Sequence, residues 1–395
     1  MAGKITGSDY TIVVMSGNFV QRGTPALIDK FARAESALRC GADLVLELPV
    51  IYAASSAELF AKGSIRLLDK LGVVTHLCFG SESGDLDILR RIAAILYEEP
   101  EEYRELLRDR LRRGLSYPTA RTEALLQFCP ELDEYRSVLT LPNNILSIEY
   151  LKALLYFGSS IEPVTLTRQG SDYNDAHISD EHKHCSALAI RQALRAGQDV
   201  SVLNSKLPVE SFEILKTALT RNGYADTGML TPMLYYKLLS MRSEGYTQYL
   251  DVSDALSDRI LSNLEYFTSF DDFCNRLKSK DMTYTRISRC LIHILLDLKN
   301  EDLQKCKQMD YVPYARILGF RRESSDLLSA IHRNASLPMI TKLADASAQL
   351  NPDARNLLNK DILASDIYHS SLTFSKGAQK KSAIPNEYRT PIVIV

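Results

Sequence analysis

The sequence predicts an α/β protein: a Rossmann-like parallel sheet domain followed by a mostly α-helical half. Three observations predict it. Short, largely apolar runs alternate with helix-period segments through residues 10–80, the pattern of parallel strands buried on both faces and joined by right-handed crossovers. Polar, glycine-containing loops follow the first and third runs, where open α/β sheets take ligands. From about residue 205 the periodicity is almost wholly helical.

The expected strands are Tyr10–Met15, Asp43–Leu48 and Val73–Phe79, read as one βαβαβ sheet. The helix between the first two carries Phe31, Ala34, Ala37 and Leu38 on one face and ends at Gly41, a residue suited to a left-handed cap. The next carries Phe60, Ser64, Leu67, Leu68 and Leu71 and stops at Gly72. Helices are expected over Asp85–Tyr97, Glu101–Arg113, Thr119–Phe128 and Asn144–Phe157, then a strand over Glu162–Arg168 and a helix over Ser186–Ala196. The expected domains are 1–200 and 201–395, with Ile392–Val395 a small apolar end that adds an edge strand or dangles.

Composition bounds the class. The 395 residues carry a net charge of −2, so any nucleic-acid surface is a local patch. Seven dispersed cysteines without a CxxC pair suit reduced thiols and a cytoplasmic protein. No apolar run approaches the ~20 residues a membrane helix needs.

Each candidate site has a plainer reading beside it. In Ser16–Gly23, Gly17 permits close backbone approach and Arg22 suits a phosphate or carboxylate; the alternative is an ordinary loop with a solvated arginine. Gly80 lacks the Cβ that would keep a flat ring off the backbone, or simply opens a tight turn. Asn143 or Asn144 reads first as a helix cap, with a spare amide as the functional reading. Arg168 at a strand end suits a charged phosphate, against a default of exposure. Ser186 caps a helix whose free N–H groups attract anions, with Arg191 more than a turn inward. His177, His182, His184 and Cys185 match no standard zinc spacing, so a solvated loop is favoured over a metal site. Arg276, Lys278, Lys280, Arg286 and Arg289, and later Arg316, Arg321 and Arg322, cluster with Tyr284, Tyr311 and Tyr314, as phosphate pairing and base stacking on RNA would use; solvated helix faces are the alternative.

Taken together these residues resemble the bacterial tRNA(Met) cytidine acetate ligases, of the nucleotidylyltransferase-like α/β superfamily. The resemblance runs through Met15–Gly23, Asp29-Lys30, Asp43–Pro49, Phe79–Glu82, Pro142–Leu146, Ser186–Arg191, Tyr284–Arg286 and Tyr314–Phe320, and so covers nearly the whole chain. It implies use of ATP, with Mg2+, to activate acetate as acetyl-adenylate, and acetyl transfer to the wobble cytidine of elongator tRNA(Met). It places Gly80, Asn143 and Arg168 on ATP-contacting positions; Gly17, Arg22 and Ser186 are phosphate or acetate candidates from their own chemistry. It marks no catalytic nucleophile, no protein metal ligand and no oligomeric state.

Two departures carry expectations. The family's HxGH-type loop would precede Met1, so the chain as written is expected to be aggregation-prone and slow or dead in acetate activation. Asn174, in Asp172–Asp175, stands where the family has a histidine. Two rival readings stay open: a catalytically silent tRNA-binding protein, and a nucleotidylyltransferase acting on a small metabolite.

Overall fold

The computed structural model describes residues 2–168, 185–375 and 383–395. Its strands are β1 (Ile12–Ser16), β2 (Phe19–Val20), β3 (Thr24–Pro25), β4 (Leu44–Leu48), β5 (His76–Ser81), β6 (Glu162–Thr167), β7 (Ala315–Phe320), β8 (Met339–Ile340) and β9 (Val393–Ile394). By its contacts the chain divides into two units.

The larger unit comprises Asp9–Val73, Gly170–Lys278 and Tyr284–Val395. Its sheet runs β1-β4-β7-β8, with β9 also on β7. β1 and β4 are parallel, Ile12 opposite Leu44, as a crossover helix between them requires. That helix, Lys30–Arg39, starts where the Asp29 side chain accepts the Phe31 N–H at 2.7 Å, satisfying a donor the first turn leaves free. It buries Phe31, Ala34 and Leu38 against Val45 and Leu318. Every residue of β4 is buried, Glu47 included, so a carboxylate lies inside the sheet. β2 and β3 form a small hairpin directly after β1.

The smaller unit comprises Met1–Ser8, Val74–Gln169 and Ser279–Thr283. β5 and β6 pair in parallel from His76 opposite Glu162 to Ser81 opposite Thr167. The helices Leu86–Glu98 and Pro142–Phe157 bury Leu89, Ile92, Ile148 and Leu151. Tyr103 meets Phe128 edge-on at 6.3 Å, tying Glu101–Arg112 to Tyr117–Phe128.

Three expectations change. The third run does not join the sheet of the first two: β5 pairs with β6, and the second edge of β4 is taken antiparallel by β7. An apolar run reports burial on both faces, not the identity of its edge partner. The region after residue 205 is mostly helical but supplies β7, β8 and β9. Arg316 and Tyr314, expected on a solvated or RNA-facing surface, are 2% and 1% exposed, because Arg316 lies in β7 opposite Glu47 of β4. The apolar end becomes an edge strand, β9.

Candidate active site

In the smaller unit the site grows from the ends of β5 and β6. β5 runs out at Ser81, whose hydroxyl lies 2.7 Å from the Thr165 hydroxyl and accepts the Gly84 N–H at 2.9 Å. The Glu82 carboxylate then turns to the helix Pro142–Phe157. It accepts the Asn143 backbone N–H at 3.1 Å, the Asn143 side-chain amide at 2.6 Å and the Asn144 N–H at 2.7 Å. In return, Asn144 Oδ1 accepts the N–H groups of Glu82 and Ser83 at 2.9 and 3.1 Å. Neither asparagine caps its own helix: Leu141 holds the cap position without a side-chain bond, and Glu82 puts negative charge on the positive end of the helix dipole instead. Asn144 is fully buried, and its amide nitrogen has no partner among the described residues.

Gly80 is exposed, opposite Leu166. A Cβ there would stand 3.3 Å from Arg168 Cγ, so glycine keeps the strand surface flat beside the arginine stem. The Arg168 N–H donates to the Ser81 carbonyl at 2.9 Å, and its side chain is exposed. A flat backbone and an exposed guanidinium at parallel strand ends fit a nucleotide.

In the larger unit the Ser16–Gly23 loop is held from beneath. Arg33 donates to the carbonyls of Ser16 at 2.9 Å, Gly17 and Ile28. Asn18 Oδ1 accepts the Lys30 N–H at 2.9 Å. The close approach that Gly17 permits is taken by the chain itself, since any Cβ there would fall on the Glu47 carboxylate. Gly23 has φ +70 and no room for a side chain against the Ser288–Arg289 backbone; the Ser288 hydroxyl donates to its carbonyl at 2.7 Å.

Beneath the loop lies a buried ionic cluster. Lys30 Nζ, fully buried, contacts both oxygens of Glu47 at 2.8 Å and also pairs with Glu387. Burial alone would lower Lys30, but the charges of Glu47 and Glu387 lift it above the ordinary lysine range. Glu47 is pushed up by burial and by Glu387, against Lys30 and Arg316. These two tendencies pull the proton in opposite senses, and the paired 2.8 Å contacts favour the charged pair. Asp361 accepts the Val50 N–H at 2.7 Å and the Tyr314 hydroxyl at 2.6 Å. Burial and the Glu47 charge still push it up to about 8.

Cations gather beside the loop. Ser186 caps the helix Ala187–Arg195, its hydroxyl accepting the Ala189 N–H at 2.9 Å. Burial, then the charges of Arg195 and Arg22, lower the Arg191 guanidinium to about 10, and Arg33 adds to them. Like charges so arranged favour an anion among them. Gln21 Nε2 and Arg289 Nε are buried without partners among the described residues.

The remaining cations sit within their own units. Arg276 is exposed over the Tyr266 ring at 4.7 Å. Lys278 is exposed, and its carbonyl accepts Arg259. Lys280 belongs to the smaller unit. Arg286 lies 3.3 Å from Asp251, and Arg289 packs inward beside Gly23. His177, His182, His184 and Asn174 lie outside the described residues, among which no group of three His, Cys, Asp or Glu side chains could hold a metal ion.

Sequence reasoning passed over Arg33 and Glu387 and gave no role to Lys30 or Glu47. The available signal was Glu47, an acid inside the apolar run Asp43–Leu48, since a buried acid requires a buried partner.

Comparison with known proteins first gives the class. The HIGH Nucleotidyl Transferase family model matches residues 1–383. The chain is 42% identical over 381 residues to the tRNA(Met) cytidine acetate ligase of Clostridium kluyveri, covering 93% of this chain and 92% of that one. It is 39% identical to the Clostridium novyi protein of the same name over 340 residues, 86% of this chain and 84% of the relative. The crystal structure of Thermotoga maritima TmcAL in its apo form matches with a TM-score of 0.92 at 32% identity, covering 100% of this chain and 94% of that one. The form bound with alpha-thio ATP matches with a TM-score of 0.89 over the same shares. The chain is therefore a nucleotidyl transferase-like enzyme. It belongs to the tRNA(Met) cytidine acetate ligase family, and its class is ligase.

Proposed function

We propose that this ligase uses ATP to activate acetate and transfers the acetyl group to the wobble cytidine of elongator tRNA(Met). An acetate oxygen attacks the α-phosphorus and pyrophosphate leaves, giving acetyl-adenylate. The exocyclic amine of cytidine then attacks the acetyl carbonyl, AMP leaves, and N4 loses a proton. Both steps need no enzyme nucleophile, so the protein contributes position and charge.

The roles follow the chemistry of the residues. Gly80 lets the nucleotide approach the backbone, Asn143 offers its side-chain amide group, and Arg168 offers charge to phosphate. Arg22 and Ser186 are assigned to phosphate or acetate contact, while Gly17 gives its close approach to Glu47. Arg276, Lys278, Lys280, Arg286 and Arg289 are assigned to tRNA, the exposed Arg276 and Lys278 foremost. Mg2+ would enter on the ATP phosphates. A cytoplasmic location suits the dispersed thiols, and no helix of the described residues is long and apolar enough to cross a membrane.

The observation that carries the reading is the end of β5 and β6. Gly80 lies flat beside an exposed Arg168, near the Glu82–Asn143 contact, in a chain that aligns along its length with a relative bound to alpha-thio ATP. The test is nucleoside mass spectrometry of elongator tRNA(Met) incubated with the protein, ATP and labelled acetate. Labelled 4-acetylcytidine that requires both ATP and acetate is expected; tRNA bound but unmodified would favour a silent binding protein.

A further inference from the structure

We propose that Glu387 is a positioning residue for the Ser16–Gly23 loop, and that the segment from residue 383 to Val395 is a strap holding that loop in its ligand-binding shape. The effect on activity rests on the assignment of this loop to phosphate or acetate contact.

A closed ring of buried polar contacts carries the inference. Glu387, 5% exposed, pairs with Lys30 Nζ and accepts the Ser365 hydroxyl at 2.6 Å. Ser365 accepts the side-chain amide of Asn18 at 3.2 Å, and Asn18 Oδ1 accepts the Lys30 N–H at 2.9 Å. Asn18 is a loop residue, so the ring joins the strap to the loop in two ways, through Lys30 and through Ser365. The other acid on Lys30, Glu47, lies directly against Gly17. The far end of the strap is fixed by backbone. Val393 and Ile394 pair with Gly319 and Phe320, the Val395 N–H donates to Phe320 at 3.2 Å, and the Arg322 N–H donates to Val395 at 2.9 Å.

The ring separates the loop from the fold. If Glu387 loses its charge, Glu47 still neutralises Lys30, so the core keeps its pair. What weakens is the Ser365 bond, and with it the hold on Asn18. Removing one member of a satisfied buried network loosens the others. The lesion therefore falls on residues 16–23 more than on the sheet.

The test uses the full chain with Glu387→Gln, Glu387→Asp and Leu256→Ala, the last a buried core residue outside both the ring and the strap. Two readouts are taken: amide hydrogen exchange of the 16–23 peptide, and KM and kcat for ATP and acetate in pyrophosphate exchange. Glu387→Gln is expected to speed exchange in 16–23 at least tenfold and to raise KM at least fivefold with kcat changed less. Glu387→Asp should recover part of both, and Leu256→Ala, at a matched loss of melting temperature, should change neither. Unchanged protection of 16–23 in Glu387→Gln, or an equal change in Leu256→Ala, overturns the proposal. Faster exchange with KM unchanged overturns the ligand role of the loop while leaving the strap in place. Where the unaltered chain shows no pyrophosphate exchange, the hydrogen-exchange readout alone decides whether Glu387 holds the loop.

Discussion

Replacing Lys30 by methionine keeps the length of the side chain and removes its charge, which makes the buried cluster measurable. Glu47 and Glu387, 4% and 5% exposed, would then face each other without the ammonium that now touches both. Removing one partner of a buried pair destabilises by about 3–5 kcal/mol. Proton uptake sets a ceiling on this figure. A glutamate with an ordinary pKa near 4.3 can be neutralised at pH 7 for about 3.7 kcal/mol, at about 1.36 kcal/mol per pH unit. At pH 5.5 the same ceiling is about 1.6 kcal/mol per carboxyl. Glu47, already pushed up by burial, loses the opposing Lys30 charge in the variant, so its folded pKa stands above the unfolded value. Its proton is then held by the folded state alone between the two values, and stability falls as pH rises through that window. Urea denaturation followed by circular dichroism, with wild type and Lys30→Met compared at pH 5.5 and pH 8, checks this. A loss of about 3–5 kcal/mol at pH 8 and clearly less at pH 5.5 is expected, against a typical total of about 5–15 kcal/mol. A loss under about 1 kcal/mol, or one that does not change with pH, would refute the buried charge cluster.

Three further outcomes follow from the same contacts. Asp361, pushed from 3.8 up to about 8 by burial and the nearby Glu47 charge, contributes stability that is fully present below about pH 4 and lost as pH rises towards 8. Urea midpoints across pH 5.5 to 8.5 should therefore slope downward, and Asp361→Asn should flatten the slope; an upward slope in wild type that the variant leaves intact would count against it. Gly80→Val would set a branched side chain against the Arg168 stem, and Arg168→Ala removes its charge; each should raise the KM for ATP about tenfold or more, equivalent to about 1.4 kcal/mol, in pyrophosphate exchange. Arg276→Ala and Lys278→Ala should weaken tRNA binding at every sequence tested and lower the salt slope of the affinity by about 1 each, read by filter binding from 50 to 200 mM salt, with acetate activation unchanged.

The parts of the fold legible in the sequence were those written in local pattern. The apolar runs mark β1 and β4, and the glycines at 41 and 72 sit where helices end. β7 was illegible because Arg316 and Gly319 break its alternation, and its buried arginine stands opposite Glu47, some 270 residues earlier. The same holds at the candidate site. Gly80 and Arg168 were legible from their places at strand ends. The cap on the helix Pro142–Phe157 was not, since it is supplied by Glu82 from another element. Glu387 was illegible altogether, because its partner Lys30 is far off in sequence. Local pattern reports burial and turns; long-range charge pairing leaves only an acid or a base in an apolar run as its trace.

The most direct test of the account is acetate-dependent exchange of labelled pyrophosphate into ATP, run on the purified chain and on a form extended upstream of Met1. Exchange in at least one form that requires acetate, and that Arg168→Ala slows through KM for ATP, is the predicted result. Acetate-independent exchange, or no exchange from either form when folded and still binding tRNA(Met), would contradict it.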